Sequence, residues 1–295
     1  MNGKNIDMYL IAGQSNAAGY SYHNGNFGEV FDGIWYAGET DRSLDGKTLR
    51  SSNLSSFENF CFAVKAGLGT FDNRMGPEYG MAKVFTENGV YGKDNPCIIF
   101  KSAAGGTSLQ NSFGGESANY GNWYPRSLWE EGFTPDNSRP TGVQYNNFVN
   151  NFKKVYGELV KNGYQPKVKG MVWMQGCTDL GSDKEYEGII KVFIADIRKD
   201  ISDITGDKSC LKMPFVIGKI PTTVCVHNNP NTPAFNEMQE RVAKSVENVY
   251  TVETKDLIIV KADGTFSGVD PHHFAGEDML TLGTRFGKKL LEANK

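Results

Sequence analysis

The sequence predicts an α/β protein whose central sheet is parallel. Short runs of continuous hydrophobic residues recur along the chain, bounded by turn residues. Continuous hydrophobicity, as distinct from strict alternation, is typical of strands that are buried on both faces, and such strands occur mainly in parallel sheets. Segments with the spacing of amphipathic helices lie between the runs, and an alternation of strands with helices indicates an α/β fold.

The individual elements follow from this pattern. Five hydrophobic runs are expected to form strands: 7–12, 97–101, 168–174, 214–220 and 249–252. Four segments place apolar residues about every three or four positions and are expected to form helices: 143–162, 186–201, 235–246 and 274–291.

Two long segments interrupt the alternation, residues 20–75 and residues 105–140. Both are rich in Gly, Ser and aromatic residues. Ordering an irregular loop costs about 1–2 kcal/mol per residue, so long loops in a compact domain usually serve a function. We expect residues 1–295 to form a single domain whose two long loops line the rim of an active site.

Composition narrows the classes of partner. The net charge of −3 and the absence of a clustered Lys/Arg face predict no binding to nucleic acid or to an anionic membrane, and no apolar stretch approaches the length of a membrane span. The five cysteines have no metal-ligand spacing, so no metal is expected. The first residues contain no signal-like region. The expected location is secreted or periplasmic if an export signal was removed, and otherwise cytoplasmic; the oligomeric state stays open.

The string Gly13-Gln14-Ser15-Asn16 directly follows the first predicted strand. A glycine permits a tight turn, and a small polar nucleophile at the end of a buried strand lies at a sheet edge that substrates can reach. Ser15 is therefore a candidate nucleophile. The alternative role is that of a helix N-cap, for which serine is a preferred residue.

A candidate base lies at the other end of the chain, in Asp270-Pro271-His272-His273. The sequence contains only four histidines, His23, His227, His272 and His273. His273 is favoured because a short loop before the last helical segment would direct it back to the sheet edge, where Asp270 would bond its ring. Together with Ser15 these residues would form a hydrolase triad. Taken alone, Asp270 and His273 would be better explained as residues of an ordinary surface loop, and it is their combination with Ser15 that favours the triad.

Two further strand ends offer hydrogen-bond donors for an oxyanion. The segment from Lys101 to Leu109 contains Gly105-Gly106 and exposes backbone N–H groups, and the segment Val172-Trp173-Met174-Gln175-Gly176-Cys177-Thr178-Asp179 ends in an amide side chain. The alternatives are a simple strand-to-loop turn for Gly105 and a solvated polar residue for Gln175.

These four blocks, in this order from residue 7 to residue 287, resemble the SGNH hydrolases. The most similar branch is the sialate O-acetylesterase-like group with carbohydrate esterase family six, which contains acetyl xylan esterases. The resemblance implies a flavodoxin-like three-layer α/β/α sandwich without cofactor. It also implies that Ser15 is the nucleophile, His273 the general base and Asp270 the residue that orients it. The implied oxyanion donors are the N–H groups of Ser15 and Gly105 and the side chain of Gln175.

One position departs from the family pattern, which commonly has Glu after Gln-Gly where this chain has Cys177. We expect any supporting role of that acid to be lost or taken over by Asp179. An acetylated carbohydrate is the expected substrate, with acetylated xylan and O-acetyl sialic acid as candidates.

Several residues are candidates for binding that substrate: Gln14, Asn16, Trp123, Tyr124 and Trp129. Aromatic rings stack on sugar faces, but the same rings also serve plain loop packing. Two other functions stay open, a catalytically silent carbohydrate-binding protein and a lipase or thioesterase of the same fold. A nucleotide-binding role for the glycines at 13–19 fails, because their spacing matches neither phosphate-binding motif.

Overall fold

The computed structural model describes residues 4–23, 25–39, 62–111, 115–131, 141–222, 230–261, 263–268 and 270–295. A seven-stranded sheet forms the centre of this part of the chain. From one edge to the other its strands are β4 (Phe62–Lys65), β3 (Val30–Glu39), β6 (Cys97–Ala103), β1 (Lys4–Gly13), β7 (Tyr164–Met174), β8 (Phe215–Gly218) and β9 (Val249–Val252). Neighbouring strands are parallel except for β3 and β4.

A small antiparallel sheet pairs β2 (Ser21–Tyr22) with β5 (Arg74–Met75). The α-helices in the described residues are α1 (Ser15–Ala18), α2 (Glu78–Glu87), α3 (Ser117–Tyr120), α4 (Val143–Lys161), α5 (Asp183–Thr205), α6 (Thr232–Ser245) and α7 (Gly276–Ala293). Three short 3-10 segments lie at Arg126–Leu128, Cys177–Asp179 and Lys208–Lys212. No helix in the described ranges has both the length and the apolar character that crossing a membrane requires.

Side chains of β1 divide between two cores, one on each face of the sheet. Met8 and Leu10 pack with residues of α4, α5 and α6, whereas Tyr9 and Ile11 pack with residues of α2 and α7. This division follows from the two-residue period of a strand. The result is a sheet between two helical layers, which confirms the predicted α/β fold.

The strand order also agrees with the expected fold. Numbered along the chain among themselves, the strands β6-β1-β7-β8-β9 have the order 2-1-3-4-5 of a flavodoxin-like sheet. The strands β3 and β4 extend this sheet beyond β6. The switch point lies at β1, where the chain crosses from one half of the sheet to the other.

The prediction that residues 20–75 form one irregular loop is wrong for the segments 30–39 and 62–65, which are strands of the central sheet. Glycines obscure the strand pattern of β3. Gly33 has a φ of 81°, which favours glycine, and a Cβ there would lie 2.1 Å from the carbonyl oxygen of Gly92. Only glycine fits at this position, where the pairing of β3 with β4 is irregular. Helix α2 was also not expected from the sequence. Within the predicted loops, residue 24 and residues 40–61, 112–114 and 132–140 lie outside the described residues.

Strands β1, β6 and β7 end at the same edge of the sheet. Gly13 is in register with Ala103 of β6 on one side and with Met174 of β7 on the other. The residues that follow these three strand ends therefore meet at the switch point, where open α/β sheets bind their ligands.

Candidate active site

Ser15 is the first residue of the short helix α1, directly beyond the end of β1. It is half-buried, and its Oγ forms no hydrogen bond with any residue that the structure describes. Gln14 occupies the N-cap position, and no side chain caps this helix. The structure therefore does not support the alternative N-cap role for Ser15.

Gly13 allows the sharp turn that leads to Ser15. Its φ is 137°, and a Cβ at this position would lie 2.2 Å from the carbonyl oxygen of Met174. The same carbonyl accepts the N–H of Gln14, and the carbonyl of Gly13 accepts the N–H of Ala104. Strand ends on both sides thus fix the backbone just before the serine.

Asp270 and His273 form a hydrogen-bonded pair. His273 Nδ1 lies 3.0 Å from Asp270 Oδ2, and the backbone N–H groups of His272 and His273 donate to Asp270 Oδ1. The His273 side chain is 14% exposed and that of Asp270 is 29% exposed. A ring that donates from Nδ1 to a carboxylate presents Nε2 as the acceptor, which is the tautomer that a general base needs.

The surroundings keep this pair in the charge states that suit a general base. Burial lowers the pKa of His273 below its ordinary value of 6.5, and the charges of His272 and Arg74 act in the same direction, while Asp270 opposes them. Burial would raise the pKa of Asp270, but its hydrogen bonds with His273 and His272 outweigh that effect and lower it. At neutral pH the imidazole is neutral and the carboxylate ionised.

Tyr20 connects the serine segment with the histidine. Its ring, five residues beyond Ser15, stacks on the His273 ring with 4.7 Å between centroids and 24° between planes. No hydrogen bond joins Ser15 Oγ to the His273 ring among the described contacts. Catalytic hydrogen bonds are often long in the absence of substrate, so this geometry is compatible with a serine–histidine pair.

The other histidines differ from His273. His272 is exposed and lies beside it, with 6.0 Å between the two rings. His23 Nε2 lies 3.0 Å from the carbonyl oxygen of Asp72. His227 lies outside the described residues. Of the three that are described, His273 alone has a carboxylate partner.

Two backbone N–H groups are available near the serine. Neither Ser15 N nor Gly105 N has an acceptor among the described residues. Gly105 follows β6 just as Ser15 follows β1, and the N–H of Ala104 already ties the two strand ends together. Two such donors at one sheet edge fit the requirement of an oxyanion hole.

The predicted third donor, Gln175, is 1% exposed and fully engaged in hydrogen bonds. Its Nε2 donates to the carbonyl of Thr107 at 3.0 Å and to Asp179 Oδ2 at 2.5 Å, and its Oε1 accepts from the Tyr186 hydroxyl at 2.8 Å. Both amide hydrogens thus have protein acceptors. The amide therefore has to give up one of these bonds before it can donate to an oxyanion.

Asp179 is the centre of this buried network. Besides Gln175, its carboxylate accepts the backbone N–H groups of Leu109 and Gln110 at 3.0 and 3.1 Å. Burial raises the pKa of Asp179, although these hydrogen bonds oppose the rise. Cys177, where the family pattern has Glu, is a half-buried cysteine two residues earlier that forms no disulfide with the described residues. Asp179 thus supports the loop that follows Gly105.

The candidate sugar-stacking residues fall into different environments. Trp123 is fully buried and donates its indole N–H to Thr107 Oγ1, so a stacking role for Trp123 is wrong: it has no face to offer a sugar. Trp129 is half-buried, donates to the carbonyl of Tyr124 and meets Tyr145 edge to face, which supports loop packing. Tyr124 is half-buried, and its stacking on a sugar stays a prediction.

The neighbours of Ser15 are also buried. Gln14 is 6% exposed, and its Oε1 accepts the N–H of Gly176 at 3.0 Å, which ties the serine turn to the end of β7. Asn16 is 2% exposed, and its Oδ1 has no hydrogen-bond partner among the residues that the structure describes. Their predicted substrate contacts stay predictions. Within the described ranges, no three His, Cys, Asp or Glu side chains are grouped so as to hold a metal ion.

Sequence reasoning missed Tyr20 and Arg74, because both lie in the segment expected to be one loop. Arg74 donates from Nη1 to the carbonyl of Tyr20 at 2.6 Å and lies 5.5 Å from the centre of the Tyr22 ring. No motif or periodic spacing in the sequence identified Tyr20 or Arg74 as site residues. A charged residue in a buried strand, Lys101 in β6, was the one available signal of a further network.

Comparison with known proteins identifies the family of the chain. Residues 5–292 match the model of the family described as carbohydrate esterase, sialic acid-specific acetylesterase. No curated protein matches the chain.

Solved structures share the fold at low identity. A protein from Arabidopsis thaliana is 16% identical with a TM-score of 0.61, over 98% of this chain and 99% of its own. NanS is 14% identical with a TM-score of 0.60, over 99% and 98%. A carbohydrate acetylesterase from Xanthomonas citri is 12% identical with a TM-score of 0.52, over 98% of this chain and 56% of its own.

The family match covers nearly the whole chain, including the ends of β1, β6 and β7 and the Asp270–His273 pair. The protein is a carboxylic ester hydrolase that acts on acetylated sugars, and it belongs to the carbohydrate esterase family of sialic acid-specific acetylesterases.

Proposed function

We propose that the protein removes O-acetyl groups from carbohydrate through an acyl-enzyme on Ser15. The observation that carries this proposal is the Asp270–His273 pair, whose ring stacks on the segment that follows Ser15. In the first step Ser15 Oγ attacks the acetyl carbonyl carbon while His273 Nε2 takes its proton. The resulting imidazolium is stabilised by the carboxylate of Asp270.

The negative charge of the tetrahedral intermediate is carried by the former carbonyl oxygen. The N–H groups of Ser15 and Gly105 have no acceptor among the described residues and are the proposed donors to it. Collapse of the intermediate breaks the bond to the sugar oxygen, which takes the proton from His273. Water then attacks the acetyl-serine while His273 takes one of its protons. Cleavage of the bond to Ser15 Oγ returns that proton from His273 to the serine, and acetic acid leaves and ionises to acetate.

One feature favours a substrate that carries a carboxylate. Arg74 lies near enough to His273 for its charge to contribute to the lowered pKa of the imidazole, after the larger effect of burial. Among the residues that the structure describes, no carboxylate forms an ion pair with Arg74. An arginine at a site rim recognises carboxylates well, so O-acetyl sialic acid is favoured over neutral acetylated xylan.

The test is acetate release from a matched panel: O-acetyl sialic acid, acetylated xylan and a long-chain acyl ester. We expect the sialic acid to be the best substrate and the long-chain ester the worst, and Ser15→Ala to lose activity on all three. Preference for the long-chain ester would favour a lipase-type hydrolase instead. Wild-type turnover by folded Ser15→Ala would refute the proposed nucleophile.

A further inference from the structure

A buried ion pair lies beneath the candidate site and takes no part in the proposed chemistry. Lys101 Nζ in β6 and Glu78 Oε2 at the start of α2 are 2.7 Å apart, and both side chains are fully buried. The ammonium also lies 5.2 Å from the centre of the Tyr36 ring. Buried ion pairs often stabilise a fold no better than apolar residues of similar size, so the position of this pair calls for another explanation.

The pair holds both ends of one loop. Lys101 Nζ donates to the carbonyl of Leu68 at 3.1 Å, and Glu78 Oε1 accepts the N–H of Gly76 at 3.0 Å. We call residues 68–76, which include the two-residue strand β5, the anchored loop. Its two ends are bonded to charged groups that have no water to compete for them, and such bonds are the stronger ones.

The anchored loop in turn holds the segment beyond Ser15. The carbonyl of Gly19 accepts both the N–H and the hydroxyl of Thr70, at 2.9 and 3.2 Å, and Arg74 donates to the carbonyl of Tyr20. The contact is close, because a Cβ at Gly19 would lie 2.8 Å from Gly69 Cα. A shift of the loop therefore moves the backbone of Tyr20.

We propose that Lys101 and Glu78 are positioning residues, which fix the Tyr20 ring against His273 through the anchored loop and thereby hold the imidazole in place for proton transfer. This inference rests on the proposed function of His273. Lys101 and Glu78 do not touch the reacting groups, and Tyr20 contacts the imidazole through its ring face. A small displacement of a general base slows catalysis strongly, so the effect of the pair on turnover is indirect but measurable.

The environment of His273 supplies a readout that a purely structural role would not change. The groups that act on the imidazole are Asp270, His272 and Arg74, together with the stacked Tyr20 ring. Burial is the largest cause of the lowered pKa. Loss of the stacked ring lets water reach the imidazole, so it raises the pKa of His273 towards its ordinary value.

The experiment compares Tyr20→Leu, the double variant Lys101→Met with Glu78→Met, and the control Arg198→Met. Arg198 is a matched buried cation that donates to the carbonyls of Met213, Glu247 and Asn248, at the opposite edge of the sheet. We measure the pKa of His273 by NMR titration, the acid limb of kcat/KM, and the thermal stability.

Tyr20→Leu and the double variant are both expected to raise the pKa of His273 by about 0.5–1 and to lower kcat/KM roughly 10-fold at pH 6.5. The control Arg198→Met is expected to lose thermal stability without either change. An unchanged His273 pKa in the folded double variant would overturn the proposal. If that variant does not fold, an unchanged pKa in Tyr20→Leu overturns it. The titration reports the surroundings of His273 and does not depend on turnover. A failure of the proposed esterase mechanism would show itself differently, because His273→Ala would then retain wild-type activity.

Discussion

The two sides of Ser15 differ in how their hydrogen-bonding groups are used. On the histidine side, Asp270 and His273 are partly exposed, and His273 Nε2 has no partner among the described residues. On the amide side, Gln175 and Asp179 are buried, and every described donor and acceptor of the Gln175 side chain is engaged. The first side keeps a proton acceptor available, whereas the second keeps a loop fixed.

This difference indicates a division of roles. A general base must change its protonation state in every cycle, so it needs an uncommitted atom and access to substrate. An oxyanion site instead gains from groups that do not reorganise during the reaction. We infer that the amide side acts mainly by fixing the backbone around Gly105, with the Gln175 amide as a support.

The largest effect is expected from His273→Ala, with His272→Ala as its matched control. Loss of the base lowers kcat by about 10³-fold or more, because residues of a hydrolase triad act as a unit. His272 is exposed, and within the described part of the chain its ring contacts only that of His273, so its loss has little effect. Steady-state kinetics on an activated acetyl ester measure both. A comparable loss in the two variants would contradict the assignment.

Asp270→Asn is expected to have the next largest effect, a loss of about 10²–10⁴-fold in kcat. An asparagine no longer stabilises the imidazolium and allows the wrong tautomer of the ring. The variant also removes the carboxylate that opposes the lowering of the His273 pKa, so that pKa falls further and the acid limb of kcat/KM moves to lower pH. An acid limb that moved to higher pH, or full activity, would argue against the pair.

Gln175→Ala tests the amide side. We expect a loss of about 10²-fold in kcat with a smaller change in KM, and a loss of about 1–3 kcal/mol in the free energy of unfolding, because Asp179 loses a donor and Tyr186 an acceptor. The control Tyr186→Phe removes one of these bonds and keeps the amide donors. A raised KM with unchanged kcat would make Gln175 a residue of ground-state binding.

The smallest effect is expected from Arg74→Met, a loss of about 10-fold in kcat/KM for O-acetyl sialic acid relative to an uncharged acetyl ester. Arg74→Lys serves as the control that keeps the charge. Arg74 also donates to the carbonyl of Tyr20, so its loss affects the position of Tyr20 as well as any contact with the substrate. Comparison with an uncharged substrate separates these two effects. Equal losses on the two substrates would limit Arg74 to the positioning of Tyr20.

Sequence reasoning predicted the half of the molecule whose signals are local. Strands β1, β6 and β7 are continuous apolar runs, and their ends carry the Ser15, Gly105 and Gln175 blocks. Strand β3 was not predicted because two glycines interrupt its hydrophobic pattern. Both are required by close backbone contacts, Gly33 with Gly92 and Gly38 with Lys101. Such contacts depend on partners far away in the chain and leave no periodic pattern.

The same reason explains the errors within the site. The spacing of Asp270 and His273 sets their hydrogen bond directly, since one short turn joins them. The hydrogen bonds that occupy the Gln175 side chain involve Thr107 and Tyr186, which are distant from it or lie on another element. Trp123 is buried against residues of other elements, such as Phe193 of α5. Residue type and spacing identified these side chains but not the environment that decides what they can do.

Covalent labelling tests the central claim most directly. A p-nitrophenyl phosphonate reacts with an activated serine and is not released, so peptide mass spectrometry identifies the nucleophile without reference to any substrate. We expect one label, on the peptide that carries Ser15, formed quickly by the wild-type protein and not by His273→Ala. A label on another residue, or acetate release by a protein that leaves Ser15 unlabelled, would contradict the account.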